Sequence, residues 1–418
     1  MGQNQIVSLN RTIYDRYDKK FSIRPPIISE QPEENLGIAV VIPCFNEPEI
    51  EAAIYSLNAA ESPVCDVEVI VVVNQSKTCE DTIARVNRSS IEALKLLSNS
   101  TWFKLHIISE LQLLDKIAGV GTARKIGMDE ALYRFSILER NGVIACFDAD
   151  SLVEGNYFIE LEGAFKKGIS GCSIHFEHDL HGPDDRINTA ITDYELFLRY
   201  YNLAINYAEL PYGFYTVGSS MAVSCEAYVK VGGMNKRKAG EDFYFLHKVV
   251  QVGNFVELTS TTVFPSARMS DRVPFGTGKA IKTRIDNGAD TYQTYSLEGF
   301  TQLKNFARKL KRFDTNDWDQ DLVSFLPSDF KDSLSKIRKT HSSNSNYVNA
   351  TFRLFNAFRT MKYLHFRRDQ GCTAELNTAV KDLLIEMDID FDARSSNLEL
   401  LSLLRKLDRM KMHRVEQF

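Results

Sequence analysis

The sequence lacks any long hydrophobic run. A transmembrane helix needs roughly 18 or more consecutive apolar residues, and no such stretch occurs in the 418 residues of this chain. Residues 1–20 are polar and lack the apolar core of a signal peptide. We therefore expect a cytoplasmic protein that has no transmembrane segment and builds no export channel of its own.

The sequence is also poor in cysteine patterns. Its seven cysteines are odd in number and scattered, no CxxC pair occurs, and Cys146, Cys172 and Cys225 lie inside apolar runs. A disulfide framework or a structural zinc site needs paired, regularly spaced cysteines. We therefore expect neither a disulfide framework nor a structural zinc site. The composition fits a protein of a reducing compartment.

An excess of positive charge is missing as well. The chain has 50 Lys and Arg residues against 55 Asp and Glu residues, which gives a formal net charge of -5. Proteins that bind nucleic acids usually present a strongly basic face, so we expect no nucleic-acid partner. With 44% hydrophobic residues the chain can form a sizeable core.

Short apolar runs alternate with amphipathic segments in the first part of the chain. Residues 37–45, 67–74, 104–110 and 142–149 read as buried strands, and residues 48–61 and 122–140 show helical spacing of apolar side chains. Strands that alternate with helices predict an α/β fold with a mainly parallel sheet flanked by helices. Such sheets bind ligands at the carboxyl ends of their strands.

The texture of the sequence changes after about residue 295. Charge-rich helical segments follow at residues 303–312, 348–367, 373–387 and 398–412, with a Ser- and Asn-rich loop at 341–347. We predict an N-terminal polar arm over residues 1–35, a catalytic α/β domain over 36–295 and a helical C-terminal domain over 296–418. The charges of the last domain indicate solvated faces that shape acceptor access or assembly and take no part in chemistry.

The pair Asp148 and Asp150 is the most informative feature of the sequence. A buried strand leads directly into these two aspartates, which are separated by one small residue. Side chains at i and i+2 point to the same side, so both carboxylates can bind one hard cation. A divalent ion there could bridge the two phosphates of a nucleotide-sugar. The alternative is a pair of solvated turn aspartates at the start of a helix.

Four segments resemble, in order, the motifs of family 2 glycosyltransferases: residues 40–48 (VVIPCFNEP), 119–132 (GVGTARKIGMDEAL), 218–235 (GSSMAVSCEAYVKVGGMN) and 238–254 (KAGEDFYFLHKVVQVGN). The resemblance implies a GT-A (nucleotide-diphospho-sugar transferase) fold. It also implies a metal-dependent hexosyltransferase that transfers a sugar, with inversion, from a nucleotide-diphosphate-sugar to an acceptor hydroxyl in glycan or polysaccharide biosynthesis.

The resemblance assigns roles to individual residues. Asp242 would be the general base, because a carboxylate must take the proton of the attacking hydroxyl, and Glu241 would support it. The alternative is that both acids only begin a helix. Mn²⁺ or Mg²⁺ would bind Asp148 and Asp150. The donor-binding residues would be Pro43, Asn46, Glu47, Asn74, Gln75, Arg124 and Asp148.

The sequence departs from the family in two places. Asn74-Gln75-Ser76 stands where aspartates are usual, which leaves the nucleotide preference open. The stretch 265–281 lacks the metal-binding histidine of many members. Its cations Arg268, Arg272 and Lys279 could instead clamp the donor diphosphate, since arginine binds phosphate bidentately.

A polar segment at residues 173–182 is the last unusual feature. His175 and Glu177 would share one strand face, while His178, Asp179 and His181 would lie on the edge or in the loop. Together these residues could bind a transition metal, but short clusters of this kind are more often a polar pocket wall or a satisfied core histidine. We expect His175, Glu177, Gly218 and Ser219 to line the sugar or acceptor pocket.

Two other functions stay open from the sequence. A retaining GT-A synthase of a small glycosylated solute would share the aspartate pair but would not need Asp242 as a base. A catalytically silent nucleotide-sugar-binding domain would need no base at all. The acceptor can be a saccharide, a lipid-linked molecule or a small molecule, and a peripheral membrane contact and the oligomeric state are likewise open.

Overall fold

The computed structural model describes residues 11–269, 276–288 and 292–410, and these divide into two compact units. The first unit contains residues 11–179, 215–269 and 276–279. The second contains residues 180–214, 280–288 and 292–410. Residues 11–35 of the predicted arm belong to the first unit, and residues 180–214, which lie inside the predicted catalytic domain, belong to the second.

The first unit is built on an eight-stranded sheet with the order β3-β2-β1-β4-β7-β6-β8-β5. Its strands are β1 (Leu36–Cys44), β2 (Asp66–Ser76), β3 (Lys104–Leu113), β4 (Val143–Cys146), β5 (Leu152–Val153), β6 (Gly171–Phe176), β7 (Met221–Ser224) and β8 (Phe255–Phe264). Strands β1 to β4 pair in parallel, whereas β7 is antiparallel to β4 and to β6. The predicted α/β sheet is therefore confirmed as a mixed sheet.

The central strands are continuous apolar runs because helices cover both of their faces. Strand β1 is buried along almost its whole length, and so is β2, as expected for parallel strands inside an α/β unit. Strand β4 ends at Cys146, earlier than the predicted limit of 149. Asp148 and Asp150 consequently lie in the turn that follows β4.

The helices of the first unit are α1 (Arg11–Phe21), α2 (Ile50–Ala59), α3 (Asp81–Leu97), α4 (Val120–Ile137), α5 (Tyr157–Lys166), α7 (Cys225–Lys230) and α8 (Glu241–Val249), with a short 3₁₀ turn at Val250–Val252. Helix α9 (Thr277–Asn287) begins in this unit and ends in the second. The predicted helices 48–61 and 122–140 correspond to α2 and α4, each shorter than expected.

Helix α4 packs unusually close to the sheet. A Cβ atom placed on Gly127 would lie 2.4 Å from Cγ1 of Val41 on β1 and 3.1 Å from Cγ2 of Val72 on β2. Glycine thus permits a helix-to-strand distance that no side chain would allow. The close approach holds the first turns of α4, and with them Arg124, against the strand ends.

The N-terminal arm is more ordered than its polar sequence indicates. Helix α1 buries Tyr14 and Tyr17 on one face, and the hydroxyl of Tyr17 donates to Oδ1 of Asp129 on α4 at 2.6 Å. Further along, the backbone N–H of Ile27 donates to Glu130 at 2.8 Å. Two aromatic side chains and these hydrogen bonds fasten the arm to α4.

The second unit is helical, as predicted for the C-terminal region. It contains α6 (Asp185–Tyr207), α10 (Leu297–Lys311), α11 (Gln320–Phe325), α12 (Phe330–Thr340), α13 (Asn344–Leu354), α14 (Ala357–Asp369), α15 (Leu376–Glu386) and α16 (Asn397–Met410). Strands β9 (Gln293–Tyr295) and β10 (Thr373–Glu375) pair antiparallel. Across both units, no helix of the described ranges is long and apolar enough to span a membrane.

Three local predictions for this region were wrong. The predicted helix 348–367 is two helices, because the side chain of Asn356 caps the start of α14. Helix α13 begins inside the predicted loop 341–347, where Ser343 supplies the N-cap. Residues 373–375 form β10 rather than a first helical turn.

Charged side chains are buried in the second unit. Glu195 on α6 is fully buried and accepts hydrogen bonds from Arg405 on α16 at 2.8 and 2.7 Å and from Arg199 at 2.9 Å. Arg367, expected on a solvated face, is instead buried and pairs with Glu298 at 2.7 Å and with Asp321 at 2.6 Å. These ion pairs join the helices of the unit to one another.

The packing of α4 generates a testable prediction. Gly127→Ala should destabilise the chain by about 1–3 kcal/mol, the usual cost of overpacking a core, because the new methyl group collides with Val41. Gly163→Ala on α5 is the matched control, since nothing lies within 4 Å of its Cβ position. In Gly163→Ala, the higher helix propensity of alanine should raise the free energy of unfolding by up to ~1 kcal/mol. Thermal unfolding measures the change in melting temperature of both variants. Equal changes would contradict the packing argument.

Candidate active site

The candidate site lies at the carboxyl ends of β1 and β4. These strands are parallel neighbours, with Val41 opposite Cys146, so the residues that follow them emerge at one edge of the sheet. The backbone N–H of Phe147 still donates to the carbonyl of Val41 at 3.0 Å, and Ser151 N–H donates to the carbonyl of Asp148 at 3.1 Å. This tight turn sets the positions of both predicted aspartates.

Arg124 on α4 lies at the centre of the site. Its side chain is buried, Nη2 donates to Oδ1 of Asp148, and Nη1 donates to Oε1 of Glu241. Burial acts to lower the pKa of Arg124, but the carboxylates of Asp148 and Glu241 outweigh it and raise the pKa above its ordinary value. The guanidinium is therefore a permanent positive charge between the end of β4 and the start of α8.

Two glycines make room for this arrangement. A Cβ atom on Gly218 would lie 2.7 Å from both terminal nitrogens of Arg124, so Gly218 borders the guanidinium directly. A Cβ atom on Gly121 would lie 2.2 Å from the carbonyl oxygen of Arg237. Asn235, in the same loop, donates from Nδ2 to the carbonyl of Glu241 at 2.8 Å. The glycine-rich start of α4 thus admits the loop that leads into α8.

Asp242, the predicted base, lies in the first turn of α8. Burial and the neighbouring Glu241 carboxylate raise the pKa of Asp242 to about 7. Burial also raises the pKa of Glu241, although Arg124 acts to lower it. A carboxylate with a pKa near neutrality can accept and release a proton under ordinary conditions, which is the property that a general base requires.

Arg268 forms the second cationic centre of the site. Its Nη1 donates to Oε1 of Glu47 at 3.0 Å, while Nη2 donates to Oε2 of Glu47 and to Oδ2 of Asp150 at 2.9 Å. Glu47 is completely buried, and Arg268 neutralises its charge. The structure thus brings together three residues that the sequence placed in the donor and metal sites.

Buried amides support the tips of β1 and β2. Asn87 on α3 accepts a hydrogen bond from the backbone N–H of Asn46 at 2.8 Å and donates to Oε1 of Gln75 at 2.9 Å. Asn74 donates to the carbonyl of Cys44 at 3.1 Å. Asn46 has a φ of 50°, a left-handed conformation that asparagine tolerates better than most residues. These contacts hold the two strand tips together.

Sequence reasoning missed two residues of this cluster. Asn87 is completely buried, and the hydroxyl of Ser90, one helical turn further along α3, donates to the carbonyl of Glu47 at 2.7 Å. Both lie on the apolar stripe that includes Ala84 and Leu94. A polar side chain on the buried face of a helix needs a partner, and that signal could have identified them.

The other predicted site residues lie as follows. His175 and Glu177 contact each other, with 2.9 Å between Nε2 and Oε1. Ser219 is buried, and its hydroxyl oxygen lies 3.4 Å from that of Ser220. Pro43 is buried within β1, Lys279 lies in the first turn of α9, and Arg272 lies outside the described residues.

The residues around Asp150 are suited to a hard divalent cation. The side chains of Asp148 and Asp150 are 36% and 26% exposed, so a ligand can reach both carboxylates. In the described part of the chain, no group of three or more His, Cys, Asp or Glu side chains could hold a metal ion. Mg²⁺ commonly binds through one or two carboxylates, with substrate phosphates and water completing its coordination. In the structure each of the two carboxylates is paired with an arginine, Asp148 with Arg124 and Asp150 with Arg268.

Acidic and basic side chains are interleaved in the site. The carboxylates of Glu47, Asp148, Asp150, Glu241 and Asp242 lie around the guanidiniums of Arg124 and Arg268. Of these acids, Glu241 adds to the effect of burial in raising the pKa of Asp242.

Comparison with known proteins gives distant matches only. No protein-family model and no curated protein sequence matches the chain. A structure of S. aureus TarS 1-349 in complex with UDP-GlcNAc is 12% identical, with 80% of this chain and 92% of that chain covered and a TM-score of 0.39. A structure of TarS 1-349 in complex with UDP is also 12% identical. The match covers 86% of this chain and 98% of that chain, with a TM-score of 0.38. Likenesses this remote identify neither a family nor an activity.

The raised pKa of Asp242 predicts how stability depends on pH. Below about pH 4, the ordinary range of an aspartate, Asp242 is protonated in the folded and in the unfolded chain and contributes nothing. Between there and about pH 7 the unfolded chain loses this proton while the folded chain keeps it, so the free energy of unfolding falls as pH rises.

Asp242→Asn should remove this fall in the free energy of unfolding, because an amide does not titrate. The melting temperature of the variant should therefore exceed that of the wild type by several degrees at pH 8 and by much less at pH 4. Thermal unfolding across this range measures the difference. A difference that stays constant with pH would show that Asp242 titrates normally.

Proposed function

We propose that this chain is a metal-dependent glycosyltransferase that transfers a hexose from a nucleotide-diphosphate-sugar to an acceptor hydroxyl, with inversion, in glycan or polysaccharide biosynthesis. The observation that carries the proposal is the convergence of Asp148, Asp150, Glu241 and Asp242 with Arg124 and Arg268 at one edge of the sheet. Paired carboxylates for a cation, cations for a diphosphate and a carboxylate that titrates near neutrality are the parts that this reaction needs.

The donor diphosphate would bind beside Asp148 and Asp150, which would hold Mn²⁺ or Mg²⁺. When bound, the cation would neutralise the charge that develops on the departing diphosphate. Arg268 can add a bidentate contact to a phosphate. Asn46, Asn74 and Gln75 at the strand tips supply amide groups for the nucleotide, while Asn87 fixes two of them.

Asp242 would accept the proton of the acceptor hydroxyl as its oxygen forms a bond to the anomeric carbon and the bond to the diphosphate breaks. Arg124 positions this base without touching the acceptor. It links Glu241, the neighbour of Asp242, to Asp148 at the donor side. The two halves of the site are thereby kept at a constant separation, which is a requirement for displacement at a carbon between them.

Donor binding should depend on the cation. Calorimetry with a UDP- or GDP-sugar should show tight binding in the presence of manganese and much weaker binding after chelation, because two carboxylates would otherwise face the diphosphate. Asp150→Asn should weaken the effect of manganese, since it removes one of the two charged ligands. Equal donor affinity with and without the metal would remove the cation from the proposal.

Turnover should depend on the carboxylate of Asp242. Asp242→Asn should lower the transfer rate by about 100- to 10,000-fold, the usual range for general acid–base catalysis, and should leave donor affinity nearly unchanged. Glu226→Gln is a matched control, because Glu226 is also an acid in the first turn of a helix of this unit. If acids at these positions act only on the helix dipole, both variants will behave alike.

The product distinguishes the proposed enzyme from its alternatives. An inverting transfer changes the anomeric configuration, which NMR of the product reports. A retained configuration together with wild-type turnover of Asp242→Asn would support a retaining synthase. Donor binding without transfer or donor hydrolysis under any condition would support a silent nucleotide-sugar-binding domain.

A further inference from the structure

Arg268 has two incompatible tasks in this site. In the structure its guanidinium is held by carboxylates on both sides, with Glu47 Oε1 at 3.0 Å from Nη1 and Asp150 Oδ2 at 2.9 Å from Nη2. In the proposed function the same guanidinium contacts the donor diphosphate. A guanidinium binds carboxylate and phosphate with the same pair of parallel N–H donors. The two sets of contacts therefore compete for one side chain.

Burial distinguishes the partners. The side chain of Arg268 is 33% exposed, whereas that of Glu47 is 0% exposed. A ligand that enters from solvent can therefore reach the guanidinium of Arg268, whereas the carboxylate of Glu47 is not exposed to it. Glu47 also accepts a hydrogen bond from the backbone N–H of Glu49 at 3.1 Å, so the position of its carboxylate is set by the chain itself.

We propose that Arg268 is a latch, which holds Glu47 and Asp150 when no donor is present and transfers its guanidinium to the diphosphate when the donor binds. The inference rests on the proposed function, since it assumes that a diphosphate is the ligand. Its consequence is that Glu47 weakens diphosphate binding, although the carboxylate lies in the donor site. A salt bridge that lies away from the diphosphate has no such effect.

The test is calorimetry with inorganic pyrophosphate and no added divalent metal. Pyrophosphate carries the diphosphate charge but no ribose or sugar, so hydroxyl contacts of Glu47 cannot contribute. Glu47→Gln releases Arg268 from one competing carboxylate and should tighten pyrophosphate binding by about tenfold, the size of one charge-assisted hydrogen bond. Arg268→Gln should weaken it by a similar factor. The two partners of one ion pair are thus expected to act in opposite directions.

Two further variants control for folding. Asp150→Asn also removes a competing carboxylate and lies at a partly exposed position, so it should tighten binding even if Glu47→Gln folds poorly. Glu68→Gln breaks another buried ion pair of the same unit, that between Glu68 and Arg134, near the amino end of β2. It should leave pyrophosphate affinity unchanged.

The outcomes separate the latch from the function on which it rests. Tighter binding in Glu47→Gln and Asp150→Asn with weaker binding in Arg268→Gln supports the latch. Unchanged or weaker binding in the two carboxylate variants overturns the latch and leaves the diphosphate site in place. If pyrophosphate binds only when manganese is added, Glu47→Gln and Arg268→Gln are compared in its presence and are read in the same way. If neither the wild type nor any variant binds pyrophosphate with or without manganese, the proposed donor site fails and the latch fails with it.

Discussion

The buried guanidinium of Arg124 is the interaction on which the site depends. It lies between Asp148, which follows β4, and Glu241, which begins α8. Without this positive charge the two carboxylates would repel each other. Removing one partner of a buried ion pair typically costs 3–5 kcal/mol, because the other charge stays buried without compensation. Gly218 and Gly121 are needed because a side chain at either position would collide with Arg124 or with the loop before α8, respectively.

The same interaction accounts for the chemistry of Asp242. Arg124 compensates Asp148 and Glu241 but lies beside, not on, the third carboxylate, so burial and Glu241 raise the pKa of Asp242 to about 7. This arrangement opposes folding at neutral pH, although the Asp242 carboxylate also accepts a hydrogen bond from the backbone N–H of Phe243 at 2.7 Å. Functional sites commonly retain groups of this kind at a cost in stability. A second ion pair, between Arg268 and Glu47, lies at the tip of β1.

The sequence was sufficient for the parts that depend on local pattern. The strands β1, β2 and β4 are buried apolar runs, as predicted. The sequence placed Asp148 within the last of these strands, whereas β4 ends at Cys146 and both aspartates follow it. The helical nature of the C-terminal region followed from its spacing. Helix α1 was not recognised because its helical face carries only two buried tyrosines in a polar segment.

Contacts between distant segments could not be predicted in this way. Arg124 was identified as a donor-side residue, but its position between Asp148 and Glu241 depends on how α4 and α8 meet in space. Arg268 was identified as a cation for phosphate, whereas in the structure it pairs with Glu47 and Asp150. Asn87 belongs to a helix that carries no sequence motif of the site. Its contacts with Asn46 and Gln75 are seen only in the structure.

A thermal-shift screen of nucleotide-sugars in the presence of manganese tests the central claim most directly, because a ligand that binds only the folded state raises its melting temperature. The account predicts that at least one nucleotide-sugar raises the melting temperature of the wild type and that the shift is largely lost in Asp148→Asn, whose carboxylate lies at the centre of the site. No shift with any nucleotide-sugar, or an equal shift in the variant, would contradict a donor site at this edge of the sheet.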